Sequence, residues 1–72
     1  MEDVTYTKGI YTATAAVKPL DGLYQGLVSL ARDDGDEQEN IVYEVEATSA
    51  TPEEALEEAK ALAHRILGEI EL

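Results

Sequence analysis

The best-defined element of the sequence is an amphipathic helix that begins near Thr51. Thr51-Pro52-Glu53-Glu54 places a hydroxyl at the N-cap, proline at the first helical position and glutamate three residues after the cap. Apolar residues then recur at three- and four-residue spacing: Leu56, Ala59, Ala63, Ile66 and Ile70, widened by Ala55, Leu62 and Leu67. Such a stripe has to be buried against another element. The preceding residues must therefore supply a surface for one helix, and Gly68 is expected to mark the helix end.

Three segments before the helix have the composition of β-strands. They cover about Tyr6–Val17, about Leu23–Arg32 and Ile41–Ala47. The first is rich in Tyr and Thr, and the third alternates strictly between apolar and polar residues, as in a half-buried antiparallel strand. Gly9 stands where a bulge would let a long first strand curve. The sequence therefore predicts three strands followed by one helix.

The two connections between these strands differ in character. Pro19-Leu20-Asp21-Gly22 has the chemistry of a tight turn and predicts a hairpin. Residues 33–40 are almost entirely polar and predict a solvated loop. A calcium site is not indicated there, because Gly35 comes too early for the spacing of an EF-hand loop.

These elements assemble into one α+β domain over residues 1–72. Short connections favour a three-stranded antiparallel meander with strand two in the middle and the C-terminal helix packed on one sheet face. On strand two, Tyr24, Val28 and Leu30 are expected to face inward and Leu27 and Ser29 outward. Strand one is expected to be a long edge, blunted by little more than Lys8.

The charge of the chain restricts its partners. Thirteen of the sixteen acidic residues follow residue 32, and the formal net charge is −11. Nucleic-acid binding requires Lys and Arg to neutralise phosphates, and an anionic bilayer would repel this chain, so neither partner is expected. The start, Met1-Glu2-Asp3, is acidic where a secretory signal is basic, and no apolar run approaches the roughly 20 residues that span a bilayer. A cytoplasmic protein is predicted.

No catalytic or cofactor constellation is present in the sequence. The chain has no cysteine, which excludes disulfides and thiolate metal sites. His64 is the single histidine and falls on the polar side of the helix, where a surface role is expected. Glu44 and Glu46 share a strand face, but a three-stranded sheet under one helix offers little depth for a cleft. We therefore expect no enzyme, metal or cofactor.

The sheet face opposite the helix is the candidate interaction surface. It is short of charge on the first two strands, and its apolar members could form a modest patch. The predicted interface residues are Ile10, Thr12, Thr14, Leu27, Ser29 and Val42. A domain of this size buries only about 60% of the surface of its unfolded chain, so association with a second copy would add needed stability. The sequence therefore favours a homodimer.

At Tyr24–Leu30 and Thr51–Ala59 the chain resembles small bacterial βββα domains such as the antitoxin of HicA–HicB toxin systems. The resemblance covers the layout of about residues 10–68, and the helix start carries most of it. The family's proline-containing segment after its second strand is replaced here by the acidic stretch at residues 33–40, and no appended DNA-binding segment is evident. The resemblance implies the fold and assigns no site residues.

Three functions follow as expectations. The first is a non-enzymatic, self-associating interaction module. The second is an acidic, antitoxin-like protein that masks the basic site of a partner. The third is a small-ligand domain, which would need a pocket containing Tyr24 or Tyr43.

Overall fold

The structure, a computed structural model, describes residues 3–70. It contains β1 (Val4–Lys8), β2 (Tyr11–Leu20), β3 (Leu23–Asp34), β4 (Glu37–Ser49) and α1 (Pro52–Glu69). The four strands form one antiparallel sheet in the order β1-β2-β3-β4, and α1 covers one face of it. The α+β class and the C-terminal helix are as predicted. The two residues at each end of the predicted domain lie outside the described residues.

The predicted first strand is in fact two strands. β1 and β2 pair from Val4↔Ala15 to Lys8↔Tyr11, which leaves Gly9 and Ile10 as a two-residue turn. Gly9 has a φ of 61°, and glycine at the first position of a two-residue loop is typical of type II′ hairpins. A bulge at Gly9 was therefore the wrong interpretation. The sheet has four strands rather than three, and most of the segment that we expected at an edge lies inside the sheet as β2.

The predicted acidic loop is mostly strand. β3 continues to Asp34 and β4 begins at Glu37, so only Gly35 and Asp36 form the turn between them. The loop prediction followed the composition, but acidic side chains at the exposed end of a hairpin remain solvated while their backbones pair. β4 is accordingly a long edge strand of 13 residues, which the sequence interpretation shortened to seven.

The predicted hairpin between β2 and β3 is present, but its turn is shorter than expected, because Pro19 and Leu20 belong to β2. Leu20 pairs with Leu23 around Asp21 and Gly22, whose φ angles of 50° and 79° are both positive. Positive φ at both central residues is characteristic of a type I′ turn, whose twist matches that of the flanking strands. Asp-Gly is among the sequences that this turn favours. Every connection within the sheet thus has two residues.

The helix begins as its sequence predicts. Thr51 is the N-cap, and its side-chain oxygen accepts a hydrogen bond from the Glu54 N–H at 3.2 Å. Pro52 occupies the first helical position. The helix ends one residue beyond Gly68, which is part of its last turn, and the Ile70 N–H closes the end by donating to the Leu67 carbonyl.

Small residues bring the helix close to the middle of the sheet. The buried residues of α1 are Ala55, Ala59, Ala63 and Leu67. Ala63 and Leu67 form one buried cluster with Ala13 of β2 and with Val28 and Leu30 of β3. Val28 and Leu30 thus face inward as predicted. The closest approach is at Gly26, where an added Cβ would lie 2.5 Å from the Ala55 carbonyl oxygen. Because alanine and glycine have small side chains or none, the backbone of α1 can approach the backbone of β3 closely.

The register of β4 changes near this contact. Leu27 pairs with Glu44 but Gln25 pairs with Thr48, so β4 accommodates extra residues in a bulge. The Gln25 amide donates to the Val45 carbonyl at 3.0 Å and replaces a missing ladder bond there. The bulge bends β4 toward the helix start, where Ser49 is buried.

Candidate interaction surfaces

The sheet face away from α1, here called the open face, collects most of the predicted interface residues. The strand pairing places Thr14, Ser29 and Val42 side by side, with Thr12 in the adjacent row on one side and Leu27 in the adjacent row on the other. Thr5 on β1 extends the central row, and its hydroxyl lies 3.4 Å from that of Thr14. On β1, β2 and β3 the open face is therefore formed largely by Thr, Ser and Ala.

Ile10 does not belong to the open face. It occupies the turn between β1 and β2, where its side chain is 42% exposed. The assignment to that face assumed one continuous strand through Gly9, and the turn removes Ile10 from the alternation.

The free edge at β4 is the more apolar surface. Ile41, Val42 and Tyr43 are consecutive and are 47%, 60% and 37% exposed. Ile41 and Tyr43 lie on the helix side of the sheet, but α1 packs mainly on β2 and β3 and leaves them partly uncovered. An uncharged run at an exposed sheet edge combines apolar side chains with unpaired backbone groups. Sequence reasoning identified Val42 and left its strand at one edge of the predicted meander, but it considered only strand one as a pairing edge and missed the exposed apolar run at residues 41–43.

A groove of about 630 Å³ lies beside this edge, between β4 and α1. Its lining includes the apolar residues Val45, Ala61 and Leu62, and the charged residues Glu46, Glu58 and Arg65. Neither Tyr24 nor Tyr43 belongs to its lining, so it is not the pocket that a small-ligand role would need.

The charged groups of the described residues form exposed ion pairs. Lys18 lies 2.8 Å from Glu44 across the open face, and Arg32 contacts Asp34 at 3.0 Å. Lys60 pairs with Glu57, whose hydrogen bond and negative charge raise the pKa of the Lys60 ammonium. Pairs of this kind in water contribute little to stability. They leave an excess of carboxylates on the surface.

His64 lies on the exposed side of α1, as predicted, and its ring packs against Tyr6 at a centroid distance of 4.4 Å. This contact ties the helix to β1. Within residues 3–70, no three His, Cys, Asp or Glu side chains come together in a way that could hold a metal ion. Over the same residues, no helix is long and apolar enough to cross a membrane.

Comparison with known proteins finds no match among protein-family models, curated proteins or solved structures.

Proposed function

We propose that this protein is a non-enzymatic interaction module that associates with a second copy of itself to form a homodimer. The observation that carries the proposal is the exposure of Ile41, Val42 and Tyr43 together on a free edge strand. Burial of this run would remove apolar surface from water at about 25 cal/mol per Å² and would satisfy the edge backbone. The open face, with Thr14, Ser29 and Val42 in one row, supports the same function as a second contact surface.

The decisive measurement is the solution mass of the full chain by light scattering over a dilution series at low and high salt. A homodimer gives a mass near twice 7.8 kDa. Because each copy has a net charge of −11, screening by salt should preserve or strengthen the dimer. A mass of one chain at every concentration and salt condition would overturn the proposal.

A second candidate function is the masking of a basic partner, in the manner of an acidic antitoxin. It is favoured by the concentration of acidic residues after residue 32 and by their exposure along β4. Complexes formed by opposite charges weaken steeply as salt rises. A monomer that binds a basic protein at low salt and releases it at high salt would support this function over the homodimer.

A further inference from the structure

The hydrogen bonds of the sheet show which β4 backbone groups face the free edge. The Asp33 N–H donates to the Ile10 carbonyl, so odd-numbered residues of β3 direct their backbone groups toward β2 and even-numbered residues direct theirs toward β4. The β4 partners of those even-numbered residues are Glu39, Ile41 and Tyr43. The alternate residues of β4 therefore direct their N–H and C=O groups outward; these are Asn40, Val42 and Glu44.

We infer that two copies of the chain join β4 to β4 in antiparallel orientation, with the two-fold axis at Val42. This inference rests on the proposed homodimer and specifies its geometry. The axis places Val42 opposite its own copy and Ile41 opposite Tyr43 of the second copy. Asn40 then faces Glu44 of the second copy, so the outward-facing residues pair with one another as an antiparallel ladder requires. The two four-stranded sheets become one continuous sheet.

Apolar pairing selects this register over its neighbours. With the axis at Val42, the three exposed apolar residues of each copy meet only one another. An axis at Ile41 would place Tyr43 opposite Glu39 of the second copy, and an axis at Tyr43 would place Val42 opposite Glu44. Cross-strand apolar pairs stabilise a sheet by about 0.2–1 kcal/mol each, and each alternative places one of the three exposed apolar residues opposite a carboxylate instead.

The acidic residues do not oppose the selected register. Glu39 faces Val45 of the second copy and Glu44 faces Asn40, so no carboxylate lies directly opposite another. Glu44 also carries a counterion, because Lys18 reaches it across the open face at 2.8 Å. The acid nearest the axis is thus neutralised within its own subunit before the second copy approaches. Registers with the axis at Glu39 or Glu44 would place that carboxylate directly opposite its own copy, which like-charge repulsion disfavours.

A proline substitution can test the interface without removing a hydrogen bond within the sheet of one subunit. The Val42 N–H faces the free edge, so Val42→Pro removes a donor of the proposed interface and leaves the β3–β4 ladder intact. The matched control is Thr5→Pro. The same alternation carried through β2 directs the backbone of Val4, Tyr6 and Lys8 toward β2 and that of Thr5 toward the opposite edge of the sheet. Circular dichroism checks whether both variants are folded.

The expected result is a dimer for the wild-type chain and for Thr5→Pro, and a monomer mass for Val42→Pro. A dimer that survives Val42→Pro, or one that is lost with Thr5→Pro, would overturn the β4 geometry while self-association stood. A wild-type monomer would overturn both the proposed function and this inference.

Single cysteines test the register and remain informative if Val42→Pro does not fold. The chain has no native cysteine, so each variant reports one position. At the axis the two Cα atoms are about 5.5 Å apart, within disulfide range, whereas diagonal neighbours are about 7–8 Å apart. Under mild oxidation Val42→Cys should therefore cross-link to itself. Ile41→Cys and Tyr43→Cys should each stay free of cross-links when oxidised separately. A mixture of the two variants should form a disulfide between them. Self-linkage of Ile41→Cys or Tyr43→Cys in preference to Val42→Cys would overturn the register.

Discussion

The Lys8 ammonium on β1 lies 2.8 Å from the carbonyl oxygen of Leu67, in the last turn of α1. It also donates to the Ile70 carbonyl at 3.1 Å. The last turn of α1 carries no basic residue of its own. The C-terminal carbonyls of a helix lack the i+4 donors of the helix interior and carry partial negative charge, so a cation placed there donates hydrogen bonds to them and offsets that charge. Lys8, which the sequence analysis treated as a charge that protects a sheet edge from pairing, instead connects β1 to the end of α1.

Removal of this contact should destabilise the protein. We expect Lys8→Met, which keeps the length of the side chain, to lower the free energy of unfolding by about 1 kcal/mol, since it leaves two helix-end carbonyls without their charged donor. Urea denaturation at fixed protein concentration measures the change. The control is Lys18→Met, which removes the same charge from an exposed pair with Glu44 and should cost less than about 0.5 kcal/mol. Equal losses for the two variants would contradict a specific role for Lys8.

A methyl group at the helix–sheet contact should be poorly tolerated. Gly26→Ala would place Cβ 2.5 Å from the Ala55 backbone oxygen and 3.0 Å from the Ala59 Cβ, so the helix would have to move. We expect a loss of about 1–3 kcal/mol in thermal or urea unfolding, the usual cost of overpacking.

The matched control for Gly26 is the same substitution in open space. An added Cβ at Gly68 meets no atom within 4 Å, and the residue lies within the helix. Gly68→Ala should therefore stabilise the protein, by up to about 1 kcal/mol. If both variants shifted stability in the same direction, the close approach at Gly26 would not be the cause.

The N-cap of α1 should contribute through its hydroxyl. We expect Thr51→Ala to cost about 1 kcal/mol, because the Glu54 N–H loses its acceptor. Thr51→Ser keeps the acceptor and should remain close to the wild type. Comparison of the two unfolding midpoints separates the hydrogen bond from the packing of the threonine methyl. A loss of the same size for Thr51→Ser would assign the effect to the methyl.

A substitution at Gly22, in the turn between β2 and β3, tests the cost of backbone strain without steric crowding. Gly22 has a φ of 79°, and an added Cβ would have nothing within 4 Å. Gly22→Ala should cost roughly 1–2 kcal/mol through conformation alone. Gly22→Asn should cost less, since asparagine adopts positive φ more readily. Differential scanning calorimetry should show melting temperatures that decrease from glycine to asparagine to alanine at position 22. Any other order would contradict the assignment of this turn.

The sequence was most informative where local chemistry alone determines the structure. The helix start at Thr51 and the Asp21-Gly22 hairpin formed as predicted, because a capping hydroxyl, an N1 proline and a turn glycine act within a few residues of themselves. The inward orientation of Val28 and Leu30 also followed from alternation. The same local reasoning was wrong at Gly9 and at residues 33–40. A lone glycine is compatible with a bulge or a turn, and an acidic stretch is compatible with a loop or an exposed hairpin.

By itself the sequence determined an α+β domain with one capped C-terminal helix, because periodicity and capping are properties of neighbouring residues. Only the tertiary structure decided the number and length of the strands, since these depend on which backbones pair across long separations. The resulting four-stranded sheet then set the functional geometry. It placed β2 inside the sheet, left β4 as the long free edge and brought Lys8 to the end of α1. Ile41, Val42 and Tyr43 became a candidate interface for the same reason: one helix covers the middle of a four-stranded sheet and leaves its last strand exposed.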